Sequence, residues 1–213
     1  MRRTFMRKTH IKVCGMTDYL NIRALNQLPV DMIGFIFVAE SPRYISPEMY
    51  DAISSLQTTM QKCGVFVNES AQTISEIALR CRLDCIQLHG DESPELCHQI
   101  KKLGYQIVKV FSISTAEDFN KCSFYMDVCD LFLFDTKCIQ HGGSGLKFNW
   151  ELLNSYTLNK PFILSGGIGP DDAESLHGLF KKPGFYGIDL NSQFEIRPGI
   201  KNIETLKSFI ETL

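Results

Sequence analysis

Residues 85–110 read CIQLHGDESPELCHQIKKLGYQIVKV and contain one complete unit of the pattern from which the fold is predicted. The unit begins with the apolar run Cys85–Leu88 and ends with the apolar run Ile107–Val110. Neither run shows strict alternation of apolar and polar residues, which is typical of strands buried on both faces of a parallel sheet. Between them, Ser93-Pro94-Glu95 combines a capping residue, a proline at the first helical position and an acidic first turn, and so predicts a helix start.

The same strand-then-helix pattern recurs along the whole chain. Successive apolar runs start roughly 20–30 residues apart, which is the length of one strand–helix unit. Further helix starts are predicted at Ser46-Pro47-Glu48 and at Pro170-Asp171-Asp172, and residues 203–213 carry apolar side chains at helical spacing. The other six apolar runs are Ile11–Cys14, Met32–Val38, Gly64–Val67, Leu131–Phe134, Phe162–Leu164 and Tyr186–Leu190.

Eight such units in a chain of 213 residues predict a minimal (β/α)8 barrel, the TIM barrel of the α/β class. A doubly wound open sheet is the structural alternative. It is disfavoured because the turn after the first strand, Cys14-Gly15-Met16-Thr17, lacks the Gly-x-Gly-x-x-Gly fingerprint. No linker or shift in composition divides the chain, so we expect one barrel domain over residues 10–213, preceded by a basic tail over residues 1–9.

The composition excludes several classes of partner. Hydrophobic residues make up 44% of the chain and charged residues 22%, as in an ordinary globular protein. The 22 Lys and Arg residues nearly balance the 24 Asp and Glu residues, and the net charge of -2 argues against nucleic acid or an anionic membrane surface as a partner. We therefore expect a small-molecule substrate. A monomeric state is a separate expectation, which the composition does not supply.

The chain shows no sign of a membrane span or a secretion signal. The longest apolar run, Met32–Ala39, is far shorter than the ~20 residues that a membrane helix needs. The N-terminus is basic, but no apolar segment follows it before Lys12, which argues against a signal peptide. We expect a cytoplasmic protein.

The eight cysteines form no Cys-x-x-Cys pair, and the spacing of Cys81 and Cys85 is not repeated by a second pair. This arrangement predicts neither a zinc site nor a disulfide framework. In a reducing compartment we expect seven of these thiols to be small core side chains, with Cys14 as the exception. No metal and no cofactor is predicted.

Polar residues lie at the carboxyl ends of the predicted strands, where barrel enzymes carry their active sites. Cys14 ends the first strand and Asp135 ends the sixth, and these two are the candidate catalytic residues. The convergence of so many polar groups on one rim is difficult to explain by packing alone. The candidate substrate-binding residues on the same rim are Lys12, Arg43, His89, Gly166, Gly167, Asp189, Asn191 and Ser192.

Two glycine-rich segments follow predicted strands. Gly166-Gly167 precedes the helix start at Pro170, so its backbone amides are free to bind a phosphate group between the last two strands; a plain tight turn is the alternative. The second segment, Gly142, Gly143, Ser144 and Gly145, suggests a flap that closes over the site. The alternative for that segment is an ordinary surface loop.

The two candidate catalytic groups suit opposite proton transfers. Asp135 emerges from an apolar strand, and partial desolvation favours its protonated form; pairing with Lys12 or Lys137 is the alternative. Lys12 lies two residues before Cys14 on the same strand face, and a nearby cation favours a thiolate that acts as base or nucleophile. The alternative for Cys14 is a packed thiol at the end of a strand.

Two further rim residues have more than one interpretation. Arg43 follows Pro42 and presents a planar fork that suits a carboxylate, or it is a solvated surface arginine. His89 is either a proton carrier or a hydrogen-bonded rim residue, and the second interpretation is favoured. The residues alone thus predict a phosphate-binding barrel with an acid and a thiol at its mouth.

These residues and their surroundings resemble the phosphoribosylanthranilate isomerase family of tryptophan biosynthesis. The similarity extends in order over nearly the whole chain and includes most strand ends. The matching segments are residues 12–17, 34–37, 41–46, 64–68, 86–92, 134–137, 142–145, 148–150, 164–168, 187–192 and 198–202.

The resemblance implies a cofactor-free Amadori rearrangement of N-(5-phosphoribosyl)anthranilate to 1-(2-carboxyphenylamino)-1-deoxyribulose 5-phosphate. It implies that Asp135 is the general acid that protonates the furanose ring oxygen, and that Cys14, as a thiolate, removes the C2 proton. By the same carry-over, Arg43 holds the anthranilate carboxylate. The Gly166-Gly167 turn and the Asn191-Ser192 loop hold the phosphate, and Asp189 supports the site.

The chain departs from the family at one point. Where the family usually has Ser-Ser-Gly after the acid of the last strand, this chain has Asn191-Ser192-Gln193. Loss of the glycine removes a site of close backbone approach and restricts φ, so a changed phosphate loop is expected.

Two other functions compete with the isomerase interpretation. The first is a related sugar-phosphate isomerase of the histidine pathway, whose chemistry resembles that of a site with two aspartates. Cys14, which occupies the position of the first aspartate, argues against it. A non-enzymatic phosphate-binding relic or thiol-rich redox sensor predicts that Cys14 is dispensable and that other cysteines are reactive.

Overall fold

The computed structural model describes residues 9–136 and 149–213. Eight parallel strands close into a barrel in chain order, with the last strand paired to the first. The strands are β1 His10–Cys14, β2 Met32–Ile36, β3 Gln61–Phe66, β4 Cys85–Leu88, β5 Gln106–Ile113, β6 Leu131–Thr136, β7 Phe162–Leu164 and β8 Phe185–Leu190. The predicted barrel is confirmed, and the open-sheet alternative is wrong.

Helices and short 3-10 segments connect the strands on the outside of the barrel. The helices are α1 Tyr19–Leu25, α2 Tyr50–Ser55, α3 Ala71–Cys81, α4 Pro94–Lys101, α5 Ala173–His177 and α6 Ile203–Glu211. The 3-10 segments are Pro47–Met49, Ala116–Tyr125, Trp150–Ser155, Pro170–Asp172 and Ser192–Phe194. After β8, the antiparallel strands β9 (Glu195–Arg197) and β10 (Ile200–Lys201) form a small separate sheet.

Local sequence signals account for where the helices begin. The Ser93 hydroxyl accepts a hydrogen bond from the Leu96 amide, and Pro94 occupies the first helical position of α4. The motif at Ser46 begins a 3-10 turn rather than an α-helix, since Ser46 makes no side-chain capping bond and α2 starts only at Tyr50.

The core has two layers, as a closed barrel requires. Between the strands and the helices lies the larger apolar layer, which includes Phe35, Phe66 and Phe132. The barrel interior is filled by a smaller cluster of Met32, Cys63, Cys85, Val108, Val110, Leu131, Leu133 and Ile163. Because side chains fill the interior, a substrate has access only at the ends of the strands.

Some of the predicted segments fall wholly or partly outside the described residues. Residues 1–8 of the predicted tail lie outside the described residues, and Thr9 is buried. The predicted flap, Gly142–Gly145, also lies outside them, as does the eighth cysteine. The seven cysteines within the described ranges are free and buried, as predicted for six of them. In residues 9–136 and 149–213 no helix is long and apolar enough to span a bilayer.

Candidate active site

Cys14 ends β1 beside a buried ion pair. The strand register places Lys12 opposite Asp189 of β8, and the Lys12 Nζ atom lies 3.0 Å from both carboxylate oxygens of Asp189. Both charged side chains are buried, as is Cys14. Asp135 therefore does not have Lys12 as its partner, because that lysine is held by Asp189.

Burial dominates the protonation of the Cys14 thiol. It raises the pKa of Cys14 to about 11, although the charge of Lys12 acts in the opposite direction. Asp189 adds to the increase, since its negative charge disfavours a thiolate nearby. Lys12 thus lowers the pKa of Cys14, as expected, but burial outweighs it. As a result, roughly one Cys14 in 10⁴ is a thiolate at pH 7 in the free protein.

The Lys12–Asp189 pair stays ionised in spite of its burial. Burial alone lowers the pKa of Lys12, but the Asp189 charge and the nearby thiols outweigh it and the pKa lies above its usual value. Burial likewise raises the pKa of Asp189, and Lys12 partly offsets the increase. At the Cys14 thiol the Asp189 charge opposes that of Lys12, so the lysine lowers the pKa of Cys14 by less than burial and Asp189 together raise it.

Two glycines make room around the thiol. A Cβ atom on Gly34, which is in register with Cys14, would lie 2.7 Å from the Cys14 Sγ atom. Gly15 has a φ of +78°, and a Cβ atom there would lie 2.6 Å from Cδ of Arg43 and 2.9 Å from Oδ1 of Asn191. The loops after β1, β2 and β8 thus meet closely around Cys14.

Asp135 lies across the rim beside His89. The His89 Nε2 atom is 3.6 Å from the Asp135 Oδ2 atom, and both side chains are about one-fifth exposed, at 22% and 21%. The Gln87 Nε2 atom is 3.0 Å from His89 Nδ1, and it donates to that nitrogen in the tautomer that carries the ring proton on Nε2. His89 is thus a hydrogen-bonded rim residue, the interpretation favoured from the sequence.

Asp189 connects the two candidate catalytic groups. Its charge acts on the Cys14 thiol, and the charges of Asp135 and His89 act on Asp189 in turn. The thiol and the carboxyl group therefore share one end of the barrel, with Asp189 within electrostatic range of both.

Arg43 is not a solvated surface residue, and its fork already holds a carboxylate. Its Nε and Nη2 atoms donate to Oε1 and Oε2 of Glu195 at 2.9 and 2.7 Å. The Lys201 Nζ atom donates to Oε1 of Glu195 at 2.7 Å and to Oδ1 of Asn191 at 2.6 Å. Asn191 is thus held by protein contacts, and the edge of Arg43 that was expected to hold substrate is occupied by Glu195.

The glycine turn after β7 has the backbone conformation that requires glycine. Gly166 and Gly167 have φ values of +92° and +69°, which side chains other than glycine rarely adopt. Ser192 begins a 3-10 turn at the end of β8, on the same rim. These placements are compatible with an anion site formed by backbone amides.

Gln193 does not strain the loop after β8. Among residues 9–136 and 149–213, the non-glycine residues with positive φ are Asn68 and Arg82, so Gln193 needs no glycine-like conformation. The expectation of a changed phosphate loop stays a prediction. The Gln193 side chain lies against the turn after β7, since its Cβ is 3.7 Å from the position of a Cβ on Gly169.

The sequence analysis missed Glu195, Lys201 and Gln87 as members of the site. Glu195 and Lys201 flank the turn at Pro198-Gly199, and their opposite charges on two short strands were a readable signal. Gln87 is a polar residue in an apolar run, two positions before His89 and on the same strand face. In the described parts of the chain, no three His, Cys, Asp or Glu side chains form a group that could hold a metal ion.

A closed parallel barrel with a thiol, a carboxyl group and buried cations at its carboxyl end defines the class of (β/α)8-barrel enzymes. The family model described as N-(5'phosphoribosyl)anthranilate (PRA) isomerase matches residues 11–212. The chain belongs to this family.

Relatives and solved structures agree with the family assignment. The N-(5'-phosphoribosyl)anthranilate isomerase of Parabacteroides distasonis is 48% identical over 205 residues, which cover 95% of this chain and 92% of the relative. The crystal structure of the Thermus thermophilus phosphoribosyl anthranilate isomerase has a TM-score of 0.84 at 27% identity and covers 96% of this chain and 98% of that one.

A second similar structure holds a ligand. It is a phosphoribosyl anthranilate isomerase in complex with reduced 1-(o-carboxyphenylamino)-1-deoxyribulose 5-phosphate, with a TM-score of 0.80 and 30% identity. The similarity covers 96% of this chain and 97% of that one.

Proposed function

We propose that this chain converts N-(5-phosphoribosyl)anthranilate to 1-(2-carboxyphenylamino)-1-deoxyribulose 5-phosphate by acid–base catalysis. The observation that carries the proposal is the placement of Cys14 and Asp135 at one end of the barrel, with Asp189 within electrostatic range of both. Membership of the isomerase family supports the choice of substrate.

Asp135 is the general acid in this proposal. Its protonated carboxyl group gives a proton to the furanose ring oxygen, the bond from that oxygen to C1 breaks, and a C1 iminium forms. His89, whose Nε2 atom lies 3.6 Å from Asp135, stabilises the carboxylate that results. Proton transfer of this kind contributes typically about 10²–10⁴-fold to a rate.

Cys14 is the base that removes the C2 proton from the iminium to give an enolamine. The thiol has a pKa of about 11 in the free protein, so it first loses its proton to solvent, and the positive charge of the iminium favours the resulting thiolate. The Cys14 thiol then gives this proton to C1 while the Asp135 carboxylate takes the C2 hydroxyl proton, which completes the ketone. Asp135 is again protonated, and the Cys14 thiolate regains a proton from solvent when the product leaves.

Substrate binding uses the two anionic ends of the molecule. The Arg43 guanidinium holds the anthranilate carboxylate with the N–H groups that Glu195 leaves free. The Gly166-Gly167 turn and the Asn191-Ser192 loop hold the phosphate with backbone amides, and Asp189 supports the site by fixing Lys12 next to Cys14.

We also propose residues 10–213 as the barrel domain, a cytosolic location and a monomeric state. The seven free, buried cysteines in the described ranges support a reducing compartment. The balanced charge, 22 basic against 24 acidic residues, supports a small-molecule partner.

The test is turnover of freshly generated phosphoribosylanthranilate, followed by fluorescence, in variants Cys14→Ala and Asp135→Asn. Each variant should lose at least about 100-fold in kcat and still bind the product. Two matched controls are Cys122→Ala, a buried thiol in the Ala116–Tyr125 segment, and Asp130→Asn, a carboxylate before β6 at the other end of the barrel. Near-normal turnover by Cys14→Ala would overturn the base assignment, and absence of turnover in the unmodified protein would favour the non-enzymatic alternative.

A further inference from the structure

The contacts of Glu195 make it the centre of a buried charged cluster. Its two carboxylate oxygens accept hydrogen bonds from Arg43, Lys201 and the Gly199 amide, at distances between 2.7 and 3.0 Å. The exposed fraction of the side chain is 4% for Glu195, 9% for Arg43 and 0% for Lys201. A carboxylate with this many donors is held in one orientation.

The hydrogen bonds from Arg43 determine which edge of its guanidinium group is free. The Nε and Nη2 atoms form one edge, and both donate to Glu195. Of the five N–H donors of an arginine, three remain, on Nη1 and Nη2. These three lie along the end of the group, so a second carboxylate is bound end-on, in the plane that Glu195 sets.

The cluster keeps one net positive charge. Arg43 and Lys201 contribute two positive charges and Glu195 one negative charge, and the three side chains are buried together. Burial alone raises the pKa of Glu195, but Arg43 and Lys201 outweigh it and hold that pKa below its usual range. Glu195 is therefore ionised at neutral pH, and the net charge still attracts an anion.

The backbone links this cluster to the loop that follows Cys14. Glu195 and Lys201 are partners across the β9–β10 pair. The Gly199 carbonyl between them accepts hydrogen bonds from the Thr17 amide at 3.2 Å and from its hydroxyl at 3.1 Å. The β9–β10 turn is thus fixed to the same rim as the loop that follows Cys14.

We propose that Glu195 is a positioning residue that aims the free edge of Arg43 at the anthranilate carboxylate of the substrate. This inference rests on the proposed function, in which Arg43 binds that carboxylate. Glu195 itself does not contact the substrate. Its effect is on the orientation of Arg43 and therefore on the affinity for substrates that carry a carboxylate.

The first experiment is a double-mutant cycle with Glu195→Gln and Arg43→Ala, which measures the KM for phosphoribosylanthranilate and kcat separately. Glu195→Gln should raise KM about tenfold and change kcat less than about threefold, because the aimed contact is a binding contact. In the Arg43→Ala background the same change should alter KM less than about twofold. An equal effect in both backgrounds would overturn the proposal, since a purely structural role does not depend on Arg43.

Glu195→Gln leaves Arg43 and Lys201 buried without a counter-charge, which could prevent folding. A second variant avoids this problem. Glu195→Gln with Lys201→Met leaves Arg43 as the only charge, so the net charge of the cluster stays at its original value. We expect the KM increase to remain about tenfold in this variant. A KM within about twofold of the unmodified protein would overturn the proposal, because charge alone would then explain the binding.

The control variant is Asp130→Asn. Asp130 also pairs with a lysine, at 2.8 Å from Lys101, and accepts a backbone amide bond from Ile107, but it lies at the opposite end of the barrel. It should leave KM unchanged. If the unmodified protein does not turn over the substrate, the proposed function fails; if it does and Arg43→Ala raises KM but Glu195→Gln does not, the inference alone fails.

Discussion

At the scale of single residues, the Cys14 thiolate is a strong base, but only a small fraction of Cys14 is thiolate in the free protein. Burial raises the pKa of the thiol to about 11, so the thiolate is a strong base but a rare one near pH 7. The iminium that forms in the proposed reaction adds positive charge to that of Lys12, whose effect on the thiol Asp189 opposes.

Alkylation of Cys14 should follow its thiolate fraction in the free protein. With a pKa of about 11, the rate with iodoacetamide should increase about tenfold for each pH unit between 7 and 9 and show no plateau. The measurement is mass spectrometry of the Cys14 peptide over time. A plateau below pH 9 would contradict the burial argument.

Gly34→Ala should displace the thiol, because the new Cβ atom would lie 2.7 Å from the Cys14 Sγ atom and 3.0 Å from the Cys14 Cα atom. We expect kcat to fall at least about tenfold and the free energy of unfolding to fall by about 1–3 kcal/mol, a typical effect of overpacking. Gly178→Ala is the control, since its nearest neighbouring atom would be 3.6 Å away. An unchanged kcat in Gly34→Ala would show that Cys14 does not need its present position.

At the scale of elements, a buried lysine fixes the loop that follows β4. Lys109 on β5 donates to the Glu92 carboxylate at 3.0 Å and to the carbonyl oxygens of Leu88 and Gly90. Glu92 also accepts the Gly90 and Asn68 amides. This loop begins with His89, so the ion pair positions the histidine that faces Asp135.

Lys109→Met should destabilise the protein strongly. It leaves the Glu92 carboxylate buried without its cation, and loss of one partner of a buried ion pair costs about 3–5 kcal/mol. The measurement is urea denaturation. Lys101→Met is the matched control, because its pair with Asp130 is one-third exposed and should contribute less than about 1 kcal/mol. Similar midpoints for the two variants would contradict the argument.

At the scale of the whole molecule, buried thiols limit stability at high pH. Burial raises the pKa of Cys14 and Cys81 to about 11 and that of Cys122 to about 12, from a value of 9.0 in an exposed cysteine. Above pH 9 the unfolded chain therefore binds fewer protons than the folded chain. The stability contributed by these thiols is complete below pH 9 and is lost as the pH rises toward 11 and 12.

We expect the urea midpoint to fall between pH 9 and pH 11. The double variant Cys81→Ala, Cys122→Ala should be less stable at pH 8 but show a smaller decrease above pH 9, because two of the titrating groups are removed. Equal slopes for the two proteins above pH 9 would show that other groups cause the alkaline loss.

The sequence was sufficient to predict the barrel and the rim on which the site lies. Buried strands without alternation, separated by helix signals, leave few alternatives to a parallel barrel, and the register then brings Lys12 and Asp189 together. The partners of Lys12 and Arg43 were not predictable. Both partners are distant in the chain, as Glu195 is from Arg43 by 152 residues.

The sequence by itself determined the strand–helix order, the barrel and the residue types at the strand ends, because these follow from local periodicity and from the geometry of parallel sheets. Only the tertiary structure decided that Lys12 is neutralised by Asp189, that Cys14 is a thiol in the free protein and that one edge of Arg43 is occupied by Glu195. Protonation and orientation depend on burial and on charges within a few ångströms, and both are properties of the folded chain.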